Sequence, residues 1–192
     1  MADPSLTGVL LVGGASRRFG SPKALATIGR ETLAERGWRV LGEVCEERLA
    51  VGKAAELRLP FPIVDDGSVV RAPIAGVVAG LRAASYDVAV FLPVDCPLVD
   101  ARTLRALAGA CRDAAVATHG PLPGAWSKAA LPVLERRLAS GRLSLLDAYA
   151  ELDVARAHLI DEELLQDADT PAELAALDAA LERRRASSAG GA

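Results

Sequence analysis

A glycine-rich and basic turn follows the first apolar run of the chain, in the stretch LLVGGASRRFGSPKAL at residues 10–25. Gly13 and Gly14 permit a positive φ and leave room for backbone N–H groups to approach an anion. Arg17, Arg18 and Lys23 add positive charges close by. Peptide N–H groups and cationic side chains together can hold a triphosphate and offset the charge of a departing pyrophosphate. The turn therefore predicts a phosphate-binding site.

Two well-known glycine motifs do not fit this turn. A P-loop requires G-x-x-x-x-G-K-[ST], whereas Gly20 is followed by Ser21 and Pro22 before Lys23. The dinucleotide fingerprint G-x-G-x-x-G is also missing from GGASRRFG, which argues against a dehydrogenase. By themselves, the glycines and arginines would equally suit a solvated surface turn. A second feature is needed to decide between the two interpretations.

Asp95 supplies a candidate for that second feature. It ends another apolar run, DVAVFLPVD at residues 87–95, and is followed by Cys96 and Pro97. Mg²⁺ prefers carboxylate oxygens, keeps several waters and bridges substrate phosphates. An aspartate at one strand end would therefore suit Mg²⁺ beside a triphosphate turn at another, although a lone aspartate before a turn is often only a cap.

Strand and helix patterns alternate along the chain. The apolar runs at residues 8–13 and 87–95 are typical of central strands covered on both faces. Helical patterns lie between and after them, one beginning after Asp100 and the last at TPAEL, where Thr170 and Glu173 can form a capping box. HGPLPGAW, at residues 119–126, predicts a loop entering a short strand. This alternation predicts a three-layer α/β/α fold with a mainly parallel sheet, which binds ligands beyond the carboxyl ends of its strands.

Length and composition limit the possible classes of protein. The 192 residues suit one core, and we predict a single domain over residues 1–186 followed by a disordered tail at 187–192. The 22 Lys+Arg and 25 Asp+Glu give a net charge of −3, so no global positive field attracts nucleic acid. Three cysteines without C-x-x-C spacing fit a reducing cytoplasm. With no long apolar segment, we expect a cytoplasmic protein without nucleic-acid or membrane partners.

The basic turn resembles the signature L-A-G-G-x-S-x-R-M-G-x-x-K of the molybdenum cofactor guanylyltransferase family, with Val12 and Phe19 replacing Ala and Met. This family belongs to the nucleotidyltransferases with a Rossmann-like, glycosyltransferase-A-type fold. The resemblance extends over about residues 8–180, and Asp95-Cys96-Pro97 resembles the family's metal-binding D-x-P turn. Near the end, QDADTPAEL resembles N-x-N-T-P-x-D-L, with Asp167 and Asp169 where asparagines are usual.

The resemblance implies an enzyme that transfers GMP from GTP to the terminal phosphate of molybdopterin and releases pyrophosphate, with Mg²⁺ as cofactor. Arg17, Arg18, Lys23 and Asp95 would be catalytic, and Asp95 and Asp169 would bind the metal. Whether Asp65 or Asp66 contacts the nucleoside stays open, as does the choice between Asp167 and Asp169 at the metal. The implied nucleotide-binding residues are Leu11, Val12, Gly13, Gly14, Ser16, Lys23, Gly52, Asp65, Asp66, Gly76 and Asp95.

Alternatives remain at the level of the sequence. In family terms, Gly13-Gly14 favours GTP, whereas D-x-D-T-P is frequent in related cytidylyltransferases that use CTP. The segment GPLPGAWSKAALPVLERRLASGRLSLLDAY resembles a family segment, with Trp126 in its aromatic position and Gly120 in a usually polar one, and should therefore border the pterin-phosphate pocket. Another small phosphorylated acceptor, or a non-catalytic nucleotide-binding module, would also fit. Beyond GTP and molybdopterin, the expected partners are transient ones, namely molybdopterin-handling proteins or molybdoenzymes.

Overall fold

The computed structural model describes residues 5–13, 19–55, 57–118, 120–157 and 161–189. The strands in this part of the chain are β1 (Thr7–Leu11), β2 (Thr27–Ile28), β3 (Glu31–Thr32), β4 (Glu47–Gly52), β5 (Ile63–Asp65), β6 (Val88–Pro93), β7 (Ala114–Ala117), β8 (Gly120–Ser127) and β9 (Val154–Arg156). The α-helices are α1 (Leu33–Gly42), α2 (Pro73–Ala83), α3 (Ala101–Ala110), α4 (Leu131–Ala139), α5 (Leu145–Ala148) and α6 (Pro171–Ala189). Short 3-10 helices lie at Lys23–Leu25, Lys128–Ala130, Tyr149–Glu151 and Glu162–Leu165.

Seven of these strands form one sheet in the order β5-β4-β1-β6-β8-β7-β9, and β2 and β3 form a separate small hairpin. β1 pairs in parallel with β4 and β6, β4 with β5, and β7 with β9, whereas β8 runs antiparallel to both β6 and β7. The prediction of a mainly parallel sheet is confirmed. Because β1, β4, β5 and β6 run in the same direction, their last residues share one side of the sheet, which we call the carboxyl edge.

Helices cover both faces of the sheet. Along β1, Leu10 packs into a core that includes residues of α1, α3 and α6. Val9 and Leu11 point to the opposite face and join a second core with α2, α4 and α5. This alternation follows from the two-residue period of a strand. The prediction of a three-layer α/β/α architecture is therefore also confirmed.

Side-chain caps begin α3 and α6 where the sequence predicts them. Asp100 accepts a hydrogen bond of 2.8 Å from the Thr103 backbone nitrogen at the start of α3. At α6, the Glu173 nitrogen donates to Thr170 Oγ1 at 3.2 Å, and the Thr170 nitrogen donates to Glu173 at 2.8 Å. This reciprocal pair is the predicted capping box. α6 then runs past the proposed domain boundary at residue 186 and ends at Ala189.

β8 is longer than the sequence predicts. It begins at Gly120, so a segment expected to be a loop is extended strand. Its pairing with β6 involves only Gly124 to Ser127, and its pairing with β7 shifts register between Val116 and Ala117. Pro121 and Pro123 therefore lie in the irregular part of the ladder, where a missing N–H group costs little.

None of the helices in the described part of the chain combines the length and hydrophobicity that a membrane crossing requires.

Candidate active site

The ends of β1, β4 and β6 are joined by backbone hydrogen bonds at the carboxyl edge. The Val12 nitrogen donates to the Val51 carbonyl at 3.0 Å, and the Val94 nitrogen donates to the Leu11 carbonyl at 3.0 Å. These bonds continue the ladder past the last strand residues, so the first predicted nucleotide-binding residues start from a fixed backbone. Gly13 follows them and is exposed.

Close packing explains two of the predicted glycines. A Cβ on Gly52 would lie 2.9 Å from the Gly13 nitrogen, a contact that real Cβ atoms do not make. A Cβ on Gly76 would lie 2.9 Å from Leu11 Cδ2. Gly52 thus lets the ends of β4 and β1 approach each other, and Gly76 lets α2 press against β1. Gly14, Ser16, Arg17 and Arg18 lie outside the described residues.

Lys23 connects the basic turn with two aspartates that are remote in sequence. Its ammonium nitrogen lies 3.1 Å from Asp95 Oδ2 and 2.6 Å from Asp169 Oδ1. The side-chain exposures are 13% for Lys23, 28% for Asp95 and 48% for Asp169, so the lysine is the most enclosed member. The structure thus brings together Lys23, Asp95 and Asp169, which the sequence analysis placed in one site.

The ionisation of Lys23 reflects this environment. Burial acts to lower the pKa of Lys23, but the hydrogen bond and charge of Asp169, together with those of Asp95, raise it above its ordinary value. The side chain is therefore an ammonium ion at neutral pH. Its charge is balanced by two carboxylates from separate segments of the chain.

The turn after β6 carries Asp95 and contacts the segment before α6. The Asp95 carbonyl accepts a hydrogen bond of 2.9 Å from the Ala168 nitrogen, and the Cys96 nitrogen donates to the Pro93 carbonyl at 3.2 Å. The first of these bonds fixes Asp169 beside Asp95. Of the two acids at the start of α6, Asp169 is therefore the one that the structure brings to Lys23, while Asp167 is exposed.

Asp65 and Asp66, at the end of β5, have different surroundings. Asp65 is exposed, and its carboxylate accepts hydrogen bonds from the backbone nitrogens of Gly67 at 2.8 Å and Ala54 at 3.1 Å. These two bonds, with that of Gly67 first, lower the pKa of Asp65. The Asp66 side chain is 12% exposed and forms an ion pair with Lys53. Asp65 thus caps a loop at the carboxyl edge, whereas Asp66 is enclosed.

Lys53 is a residue that the sequence analysis missed. Its ammonium donates both to Asp66 Oδ1 and to the Ser68 carbonyl, and so connects the end of β4 with the loop after β5. The Ser68 nitrogen donates to the same Asp66 oxygen at 3.0 Å. A lysine after a predicted strand resembles many solvated residues, so its sequence neighbourhood carries no signal for this contact.

A buried arginine was missed as well. Arg36 is 7% exposed, and its Nε donates to the Pro97 carbonyl in the turn that follows Asp95. Here the sequence does hold a signal, because helical spacing puts Arg36 on the same face of α1 as Leu33 and Val40, which are buried. A charged side chain in such a position requires a polar partner.

The structure places Trp126 in the core. Trp126 is fully buried and pairs with Ala89, near the start of β6, far from the carboxyl edge. It packs in the core between the sheet and α2, α4 and α5, and so does not line an open pocket. Gly120, at the other end of β8, lies towards the carboxyl edge because β8 runs opposite to β6. The segment therefore reaches the edge with its first residues, not with its tryptophan.

An open cleft of about 570 Å³ lies beside α1 and is lined by residues that include Glu31, Arg36, Asp100 and Leu181. Lys23, Asp95 and Asp169 are not among its lining residues. Its charged groups are already paired in part, since Arg39 binds both carboxylate oxygens of Glu31. The cleft beside α1 is therefore separate from the cluster of Lys23, Asp95 and Asp169.

Open α/β sheets bind their ligands at the carboxyl edge, and this edge holds a lysine whose charge is balanced by two converging carboxylates. A lysine and an aspartate placed in this way can receive the phosphates of a nucleotide and its counter-ion. The fold and the site together define the class of nucleotide-binding α/β transferases.

Comparisons with known proteins agree. Residues 8–154 match the MobA-like NTP transferase domain. The probable molybdenum cofactor guanylyltransferase of Opitutus terrae is 38% identical over 160 residues, which cover 77% of this chain and 79% of the relative. That of Pelotomaculum thermopropionicum is 32% identical over 168 residues, covering 83% and 80%. The chain therefore belongs to the MobA-like NTP transferase family and is a nucleotidyltransferase.

Solved structures support the same fold. Molybdopterin-guanine dinucleotide biosynthesis protein A from Archaeoglobus fulgidus superposes with a TM-score of 0.79 at 23% identity, covering 92% of this chain and 99% of that one. Nucleotidyltransferases of this kind generally act with a divalent metal. In the described part of the chain, no group of three or more His, Cys, Asp or Glu side chains is arranged to hold a metal by itself. A metal here would need further ligands from substrate and water.

Proposed function

We propose that this nucleotidyltransferase transfers GMP from GTP to the terminal phosphate of molybdopterin. An oxygen of the acceptor phosphate attacks the α-phosphorus of GTP, a new P–O bond forms, and the bond to the β-phosphate oxygen breaks to release pyrophosphate. The acceptor is already an anionic nucleophile, so no serine, cysteine or histidine needs to attack. The observation that carries the proposal is the convergence of Lys23, Asp95 and Asp169 at the carboxyl edge of a chain in this family.

Mg²⁺ fits the chemistry of the residues present. Asp95 Oδ2 and Asp169 Oδ1 both contact one ammonium nitrogen, so the two hard oxygen donors are close enough to share a single cation. Mg²⁺ is commonly held by one or two carboxylates while phosphates and waters complete its shell. When bound, the ion would offset charge on the phosphates. We propose Asp95 and Asp169 as its protein ligands.

Lys23 and the basic turn are proposed to act on the phosphates. The Lys23 ammonium would offset charge on a phosphate oxygen of the leaving group, and a metal held by Asp95 and Asp169 would offset charge on the same phosphates. Arg17 and Arg18 are proposed for the same task by their place in the turn. The protein's main contribution is to hold donor and acceptor in line while these charges are offset.

The nucleoside is proposed to lie between the ends of β1, β4 and β5. Leu11, Val12, Gly13, Gly14 and Ser16 are proposed to line it from the end of β1 and the turn that follows. Gly52 and Gly76 permit the close packing of β4 and α2 against β1. Of the two acids we favour Asp66 as the nucleoside contact, because both Asp65 oxygens already bind backbone nitrogens of the neighbouring loops.

GTP is favoured over CTP as the donor. Two curated relatives, at 32% and 38% identity, are named probable molybdenum cofactor guanylyltransferases, which agrees with the Gly13-Gly14 pair. Asp167 and Asp169 do not add to this preference, because D-x-D-T-P is frequent in related cytidylyltransferases. The same relatives also disfavour a non-catalytic module.

A competition experiment tests donor and acceptor together. The protein is incubated with molybdopterin, equal concentrations of GTP, CTP and ATP, and Mg²⁺, and the products are identified by mass spectrometry. We expect the GMP adduct and one pyrophosphate per adduct, with no product when a chelator replaces Mg²⁺. A CMP adduct would overturn the choice of donor. Binding of GTP without any adduct would overturn the transfer reaction.

A further inference from the structure

The turn between β6 and α3 holds Asp95 with few bonds of its own. Within this turn, the Cys96 nitrogen donates to the Pro93 carbonyl at 3.2 Å, and the Val99 nitrogen donates to the Cys96 carbonyl at 3.4 Å. Both distances are at the long end for N–H···O hydrogen bonds, and Pro97 has no N–H group to add another. The position of Asp95 therefore depends on contacts from outside the turn.

Besides the ion pair between Lys23 and the Asp95 side chain, two contacts reach the backbone of the turn from different elements. Ala168 donates to the Asp95 carbonyl from the segment before α6. From α1, the Arg36 guanidinium donates to the carbonyl of Pro97, a buried residue two positions after Asp95. A charged donor makes a stronger hydrogen bond than a neutral one, and the planar guanidinium gives it a defined direction.

α1 is a firm support for this arginine. Its first turn is closed by a capping box between Thr32 and Glu35. A Cβ on Gly37 would lie 2.5 Å from Leu10 Cδ1, which shows how closely the helix lies against the central strand β1. A side chain anchored on this helix is thus fixed relative to the same sheet that carries Asp95.

Arg36 also has an ion-pair partner. Its side chain is 9% exposed, and its Nη1 lies 3.9 Å from Glu31 Oε2 on β3. Burial of a guanidinium costs free energy unless its charge is balanced. The burial of Arg36 against a backbone carbonyl therefore indicates a role beyond packing. Core packing alone would be served better by an apolar side chain.

We propose that Arg36 is a positioning residue, which holds the turn after β6 so that Asp95 stays in the place needed for metal binding and transfer. Its role in the reaction rests on the proposed function, whereas its hold on the turn does not. Arg36 touches neither nucleotide nor metal in this proposal, and acts by fixing the Pro97 carbonyl. Loss of this contact would let the turn and Asp95 shift, and displacement by about 1 Å can reduce a rate by about 100-fold.

Two cysteines allow the hold on the turn to be measured without any turnover. Cys96 belongs to the turn and Cys45 lies between α1 and β4, and both are buried. Both thiols are shielded from solvent, with exposures of 8% for Cys45 and 6% for Cys96, so both react slowly with an alkylating reagent while the structure stays closed. Alkylation by iodoacetamide, followed site by site with mass spectrometry, reports the opening of each region.

The variants are Arg36→Met, which removes the donor and the charge, and Arg36→Lys, which keeps the charge without the fork geometry. Arg39→Met is the matched control, because Arg39 lies on the same helix, also binds Glu31, and is 46% exposed. Its other partner is Glu43, whose side chain is 49% exposed. The control therefore removes an arginine and a bond to Glu31 without removing the bond to Pro97.

In Arg36→Met, we expect alkylation of Cys96 to accelerate about tenfold relative to Cys45, since the opening is local. We expect kcat to fall by about tenfold to 100-fold while the KM for GTP changes less than about threefold. Arg36→Lys should be intermediate in both measurements, and Arg39→Met should match the unchanged protein. If Arg36→Met does not fold, Arg36→Lys alone decides, with the same two readouts.

Equal acceleration at Cys96 and Cys45 would overturn the proposal, because it would mean that Arg36 only stabilises the domain as a whole. An unchanged kcat per folded molecule, with Cys96 still protected, would also overturn it. If the unchanged protein makes no product with molybdopterin, the proposed function fails. Selective exposure of Cys96 in Arg36→Met would then still support the hold of Arg36 on the turn.

Discussion

Two lysines lie at the carboxyl edge of the sheet. The partners of one lysine suit a role in the reaction, and those of the other suit a structural role. Lys23 is held by two carboxylates, Asp95 and Asp169, from segments distant in the chain. Lys53 is held by one carboxylate, Asp66, and by the Ser68 carbonyl of the same loop. Two converging carboxylates can exchange an ammonium for a metal ion, whereas a backbone carbonyl and one carboxylate fix a loop. The first cluster is suited to change its cation during a reaction, and the second is suited to stay closed.

The largest effect is expected at Asp95, one of the two proposed metal ligands. We expect Asp95→Ala to lower GMP transfer by about 1,000-fold, because the metal loses the better enclosed of its two proposed carboxylates. The change is measured as kcat at saturating GTP and Mg²⁺. Circular dichroism and thermal unfolding should show a folded domain. If Asp95→Ala retained full, metal-dependent activity, the cluster of Lys23, Asp95 and Asp169 would take no part in the reaction.

Lys23→Met should separate metal binding from catalysis. We expect transfer to fall by about 100-fold because charge on the leaving group is no longer offset. Binding of Mn²⁺ without nucleotide should tighten by about threefold or more, since no ammonium competes for the two carboxylates. Electron paramagnetic resonance of free Mn²⁺ measures this affinity. Weaker Mn²⁺ binding in Lys23→Met would mean that the lysine is not an exchangeable cation.

Lys53→Met should affect binding more than chemistry. Without Lys53, Asp66 and the loop at residues 66–68 lose a connection to β4, and we expect the KM for GTP to rise by about tenfold with kcat changing less than about threefold. Initial rates over a range of GTP concentrations measure both constants. A loss of kcat as large as that of Lys23→Met would show that the two lysines share one task.

The smallest effect is expected at the start of α6. Asp169→Asn keeps one oxygen that can contact a cation, so we expect activity to fall by only about threefold, with a higher requirement for Mg²⁺. Asp167→Asn serves as the comparison, because Asp167 is exposed and should change activity less than about twofold. The Mg²⁺ concentration that gives half-maximal activity is the measurement. Equal effects of the two substitutions would contradict the assignment of Asp169 to the cluster.

Much of the fold is predictable because it depends on local patterns. Continuous apolar runs predict β1 and β6. The capping side chains of Asp100 and Thr170 predict the starts of α3 and α6. The length of β8 was not predictable, because Pro121 and Pro123 usually mark loops. They are tolerated here only because the neighbouring ladder is irregular, which depends on strands elsewhere in the chain.

The candidate site divides in the same way. Lys23 and Asp95 can be chosen from the sequence, because each follows a strand and has a side chain suited to phosphate or metal chemistry. The choice of Asp169 over Asp167 cannot, since both stand in the same short acidic segment. It follows from the bond between Ala168 and the Asp95 carbonyl, which brings one of the two acids to the lysine. Trp126 is a further case, because the sequence gives only its place in the segment that the resemblance puts beside the pterin-phosphate pocket, and its complete burial is visible only in the structure.

The sequence by itself determined the alternation of strands and helices, the glycine-rich turn and the acid at the end of β6, because each depends on residues that are neighbours along the chain. Only the tertiary structure decided which charges meet: Lys23 with Asp95 and Asp169, Lys53 with Asp66, and Arg36 with the Pro97 carbonyl. The physical reason is that these contacts join residues whose separation is set by strand order and helix packing. The local propensities of the sequence carry no information about strand order or helix packing.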